Sequence, residues 1–213
     1  MIQIDDAGSG SLLGGTIIGV LRTETGEFTY EIIPLKFYRN QNFENKAYIQ
    51  YVIPIVKKML KKLRVNKNEG IEICRGYMFD ALALWLEDHG YHFIKTEIKD
   101  PLQTKIEKTF EEYTIDLGLP KSFITYTKYP FHFHRILKWV YADHPKRHLL
   151  CKTGWKSWKK YGNLEVQHNR ELIRKNDLMC LKCYKNIPQD TEGIAITYTS
   201  NKLTKVFVHN SCI

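Results

Sequence analysis

The chain has 213 residues, enough for one substantial core and a small appended module. Its apolar content of 43% is too high for disorder, and no apolar run reaches the roughly 18–20 residues of a membrane span, which excludes those two classes. The formal charge of +9 is unevenly placed: residues 1–120 hold 15 Lys+Arg against 17 Asp+Glu, whereas residues 121–213 hold 17 against 6. Met1–Asp6, Thr16–Arg22 and Glu27–Pro34 are short and β-rich, the last two joined by the turn-like Thr23–Gly26, and they predict three strands. From Glu44 to Arg64 apolar residues recur at Tyr48, Val52, Val56, Met59, Leu60 and Leu63, a helical face that Pro54 should kink or delay. A strand at Ile71–Arg75, a helix at Tyr77–His89, a strand at Tyr91–Ile98 and helices at Gln103–Leu117 and Phe131–Ala142 follow. The order β-β-β-α-β-α-β-α predicts an α/β fold, a mixed five-stranded sheet flanked by helices.

The excess positive charge of the C-terminal half is the footprint of a polyanionic partner, since each phosphate neutralised by Lys or Arg releases condensed counterions. A solvated surface rich in lysine is the plainer alternative. Residues 146–162, KRHLLCKTGWKSWKKYG, sharpen the first reading by interleaving Lys146, Arg147, Lys152, Lys156, Lys159 and Lys160 with Trp155, Trp158 and Tyr161. Basic groups of this kind track phosphates while aromatic faces stack on exposed bases; a helix packing its tryptophans on a core would show the same residues. The polar stretch Gly162–Asp177 reads as a connector. His132 and His134, two apart on one predicted helix, should point to nearly opposite sides and not share an ion.

The most specific motif lies near the C-terminus. Cys180-x2-Cys183 is followed, 25 residues later, by His209-x2-Cys212. A Cys-x2-Cys turn presents two thiolates to one tetrahedral ion, and a second short pair closes the site, so these four residues predict a structural Zn2+ in a module at 178–213. Strand-like stretches at Gly193–Thr199 and Lys205–His209, joined by a turn at 200–202, lie between the pairs.

The opening IDDAGSGSLLGG places two acids in an otherwise apolar strand. With the order of elements over residues 1–145, it resembles the ribonuclease H-like superfamily and its IDEAG-type type 2 ribonuclease H opening. The resemblance puts Asp5 on the family's first catalytic Asp and Asp6 on the neighbouring Glu. IEICRGYMFDALALWL resembles the fourth strand and following helix of the Holliday-junction resolvase branch, with Glu72 at its second acidic ligand, and IKDPLQTKIEKTFEEYTIDLGLP resembles that branch's fifth strand and next helix, with Lys105 at its basic position. Ser9 stands where the ribonuclease branch has an Arg, and Cys74 where it has an Asp. What the resemblance implies is a nuclease using Mg2+ or Mn2+, in which several carboxylates converge on the ions. Asp5 and Glu72 are then expected to face each other from adjacent strands, and Asp143, the sole acid between residues 121 and 164, is the candidate third acid.

The expected partner is therefore nucleic acid, as a DNA junction or an RNA-containing duplex, and the resolvase branch implies a homodimer. No membrane partner is expected, and the absence of a signal-like N-terminus makes the cytoplasm the expected location. Two rivals stand beside the nuclease: a nucleic-acid-binding module that keeps the fold without the site, and a phosphate-loop ATPase of the actin and sugar-kinase type, which needs two such domains.

Overall fold

The computed structural model describes residues 1–125 and 127–213, which fall into two units, Met1–Leu117 and Gly118–Ile213. In the first, the alternating apolar residues of β1 (Ile2–Ala7), β2 (Thr16–Arg22) and β3 (Phe28–Ile33) build an antiparallel meander. The meander is followed by short helices α1 (Asn40–Glu44) and α2 (Ala47–Gln50) and by α3 (Val52–Lys62). The single helix expected over 44–64 is thus divided. Lys46 takes a left-handed backbone ahead of α2, and Pro54 sits in the first turn of α3, where a missing N–H costs nothing. β4 (Ile71–Cys74), α4 (Asp80–Asp88), β5 (Phe93–Thr96) and α5 (Leu102–Asp116) complete the unit.

The sheet order is β3-β2-β1-β4-β5, with β4 parallel to β1 and β5 parallel to β4. The resulting mixed five-stranded sheet has two differently occupied faces. Ile2, Ile4, Ile18, Val20, Ile71 and Ile73 point into a core closed by Val52, Val56 and Met59 of α3 and Leu82 and Leu86 of α4. The alternate residues face α5, which packs Leu102, Ile106 and Phe110 inward against β1 and β2. That approach is close at two glycines. A Cβ on Gly19 would lie 2.3 Å from Ile106, and one on Gly8, which ends β1 at φ +83°, would lie 2.1 Å from the Phe110 ring.

In the second unit α6 (Ser122–Thr125), α7 (Phe133–Tyr141), α8 (His144–Arg147) and α9 (Lys156–Tyr161) precede the strands. β9 (Glu192–Thr199) lies between β10 (Leu203–His209) and β6 (Gln167–Leu172) in an antiparallel sheet, and β7 (Leu178–Met179) pairs with β8 (Asn186–Ile187). The stretch read as a connector therefore carries a strand. β6 is polar and largely exposed, so it has no alternation to betray it; its ladder to β9 holds it. The two compact units divide at 117/118, and within the second α7 packs on β10. No helix among the described residues is long and apolar enough to cross a membrane.

Candidate functional site

Asp5 lies near the carboxyl end of the central strand β1, only 9% exposed, on the face toward α5. Its Oδ1 accepts the backbone N–H of Asp6 at 2.8 Å, and the Cys74 thiol hydrogen-bonds to its carboxylate. Burial raises the Asp5 pKa to about 6, with the charges of Asp6 and Glu107 adding to that rise and the hydrogen bonds opposing it. The same burial, with the Asp5 carboxylate beside it, pushes the Cys74 thiol up to about 11.

The parallel register sets Gln3 opposite Glu72 and Ile4 opposite Ile73, so the neighbour of Asp5 on β4 is Cys74. Glu72 shares the face but sits one pleat, about 7 Å of strand, back from that position. There its Oε2 accepts from Gln3 Nε2 at 3.0 Å. The expectation that Asp5 and Glu72 face each other is corrected by this register. Strand alternation turns Asp6 to the opposite face, where its charge acts on Tyr38. Asp5, Asp6 and Glu72 accordingly do not form a group of ligands close enough to surround one ion. Lys105 is exposed on α5, its ammonium 5.8 Å from the Phe28 ring centroid. Asp143 belongs to the second unit, where its carboxylate pairs with Lys182 at 3.5 Å.

Cys180, Cys183, His209 and Cys212 do come together: one ligand atom from each lies within 4.8 Å of the other three. The knuckle between β7 and β8 is held by Tyr184 N donating to Cys180 O at 2.8 Å and Cys180 N donating to Lys185 O at 2.9 Å, with Tyr184 at φ +65°. The end of β10 supplies His209 and the turn after it Cys212. Cys183 Sγ and Cys212 Sγ are 3.3 and 3.9 Å from His209 Nδ1. A tetrahedral Zn2+ with its usual bond lengths places sulfur and nitrogen ligands about 3.5 Å apart, so the spacing fits. The imidazole is also turned correctly, since Nε2 lies 3.0 Å from Asn186 O and, by donating there, leaves the Nδ1 lone pair for the metal. His209 N–H donates to Cys180 Sγ at 3.4 Å, favouring thiolate charge. This cluster could hold a structural zinc, and four protein ligands leave no position for a substrate.

Arg147, grouped by sequence with the phosphate-tracking residues, has a different part. It is buried and donates through Nη1 to Trp139 O at 2.6 Å and Leu181 O at 2.7 Å. Nη2 donates to Lys182 O at 3.2 Å and Tyr184 Oη at 2.9 Å, so the guanidinium grips the Cys180–Cys183 knuckle from inside the unit. Basic composition hides such a clamp, because acceptors on the main chain leave no mark in sequence.

The neighbouring basic and aromatic stretch divides by burial. Lys152 is fully buried, and Trp158 is packed against Gly162 and stacked on His144 at 6.3 Å. Neither side chain is presented to an outside base or phosphate. Lys156, Lys159 and Lys160 are exposed, and Trp155 is half-buried. His132 and His134 also depart from expectation. α7 starts at Phe133, His132 caps it with an extended backbone, and the two rings lie 5.9 Å apart instead of on opposite sides.

No protein-family model matches the chain, and its sequence matches no curated protein.

Proposed function

We propose that the chain acts on nucleic acid as a divalent-metal-dependent phosphodiester hydrolase, its first unit a ribonuclease H-like domain and its second a zinc-stabilised nucleic-acid-binding unit. The observation that carries this reading is the buried Asp5 near the carboxyl end of the central strand β1, with Glu72 on the same sheet face of the adjacent parallel strand β4, one pleat back. That is where α/β sheets place ligands. Mg2+ commonly takes only one or two protein carboxylates and completes its shell with water and substrate phosphate, so a sparse acidic edge suits it. A buried Asp5 with a raised pKa is a group that a cation would return to its charged form. The order β3-β2-β1-β4-β5 and the acid on β1 agree with the resemblance.

Cys74 beside Asp5 favours a second reading, a nucleic-acid-binding protein that keeps this fold without cleaving. A panel of labelled junction, RNA–DNA hybrid, flap and single-stranded substrates separates the two when incubated with Mg2+ or Mn2+. Cleavage abolished by Asp5→Asn and by Glu72→Gln, with binding retained, supports hydrolysis. Binding without cleavage of any substrate supports the second reading, and no binding at all sinks both.

A further inference from the structure

We propose that a cavity of about 270 Å3 in the second unit, between the start of α7 and the β9–β10 turn, is a binding site for a phosphate group. His132, just ahead of α7, and His134, Arg135 and Lys138 of α7 line it, with Asn201 and Lys202 from the turn. No acidic side chain lines it, and among the described residues Arg135, Lys138 and Lys202 have no ion-pair partner. Like charges gathered in one concavity repel unless an anion joins them, so the arrangement is costly when empty and favourable when filled.

The donors are also oriented. Arg135 Nε and Nη2 donate to Phe123 O at 3.2 and 3.0 Å, and the guanidinium lies 4.5 Å over the Phe123 ring, which fixes its plane and leaves Nη1 for a ligand. Asn201 Oδ1 accepts from Ser200 Oγ at 3.2 Å, so the amide NH2 is available to donate. His134 Nδ1 is buried with no hydrogen-bond partner. Three or four acceptor oxygens on one centre match donors converging from a helix and a turn better than a planar carboxylate does. The volume is ample for a phosphate group with its first waters. The site stands independently of whether the acidic edge of the first unit hydrolyses anything.

Two sources could present this group, a polynucleotide backbone or a small phosphate compound. The test follows the ring resonances of His132 and His134 in the zinc-loaded full chain, titrated with inorganic phosphate at constant ionic strength set by chloride. His144, His148 and His168 serve as internal controls. Saturable shifts confined to His132 and His134, with affinity reduced about tenfold or more in the Lys138→Ala/Lys202→Ala double variant, are the expected result. Neither lysine is buried, so the variant keeps its core. Displacement of phosphate by a single-stranded oligonucleotide supports the site and assigns it to a nucleic-acid backbone. Phosphate binding that the oligonucleotide leaves untouched supports the site as one for small phosphate compounds and counts against nucleic acid there. Equal shifts with chloride alone, or unchanged affinity in the double variant, overturn the proposal.

Discussion

Asp5 offers the sharpest quantitative test of the first unit, through Asp5→Asn. The ordinary aspartate value is 3.8, and burial raises the folded-state value to about 6. Below about pH 4 the carboxyl is protonated in both folded and unfolded chains, and above about pH 6 it is ionised in both. Between these limits the folded chain holds a proton that the unfolded chain has released, so stability falls as pH rises through this window. The gap corresponds to a loss of up to about 3 kcal/mol for a group this buried. Asparagine keeps the volume and the Oδ1 acceptor for Asp6 N–H, but never ionises. Urea unfolding of both proteins, read on the transition of the first unit without added Mg2+ or Mn2+, isolates the effect, because the difference between them cancels every other titration. The variant should match the wild type near pH 4 and exceed it by up to about 3 kcal/mol at pH 7. Added Mn2+ at pH 7 should then stabilise only the wild type, by about 1.4 kcal/mol at ten times its dissociation constant. A difference between the proteins that does not change with pH would refute the reasoning about Asp5, and equal stabilisation by Mn2+ would refute a metal there.

Zinc removal by a strong chelator should unfold the β7–β10 region while the five-stranded sheet persists, since a small metal-stapled module draws much of its folding energy from the ion; amide exchange resolved by segment checks this, and elemental analysis should return about one zinc per chain. Arg147→Met should cost about 3 kcal/mol or more and speed zinc release, because carbonyls at Trp139, Leu181 and Lys182 lose a charged donor; thermal unfolding and a chromogenic chelator measure the two effects. Replacing Lys156, Lys159 and Lys160 with Ala should weaken nucleic-acid binding and flatten its salt dependence by up to about 0.9 log unit per log unit of salt for each duplex phosphate no longer neutralised, whereas an unchanged slope assigns those lysines to bulk solvent.

The five-stranded sheet could be read from sequence because each of its strands carries its own signal. Ile2 and Ile4, Ile18 and Val20, and Ile71 and Ile73 alternate with residues of the other face, and α3 and α5 repeat their apolar positions at helical spacing. The cluster of Cys180, Cys183, His209 and Cys212 was equally legible, since the spacing of such residues follows metal geometry and not the rest of the fold. Register was not. Whether Glu72 meets Asp5 or Gln3 depends on a slide of two residues, which keeps every side chain on its face and so leaves the apolar pattern unchanged. β6 escaped for a related reason: its residues Gln167–Leu172 are strand only through the partner that they pair with. His132 and His134 depended on where α7 begins, and helix ends are the feature sequence fixes least.

The grip of Arg147 falls on main-chain oxygens of Leu181 and Lys182, not on their side chains. Leu181, enclosed between the paired cysteines, can therefore be recoded with little effect on how Arg147 holds the loop, whereas Lys182 also pairs through its side chain with Asp143. Position 147 has no such latitude: lysine carries the charge but not the planar fork that reaches several acceptors at once. Position 181 is thus a natural place to graft a new side chain or a probe beside the cysteine–histidine cluster, where its identity can be varied while its backbone stays put.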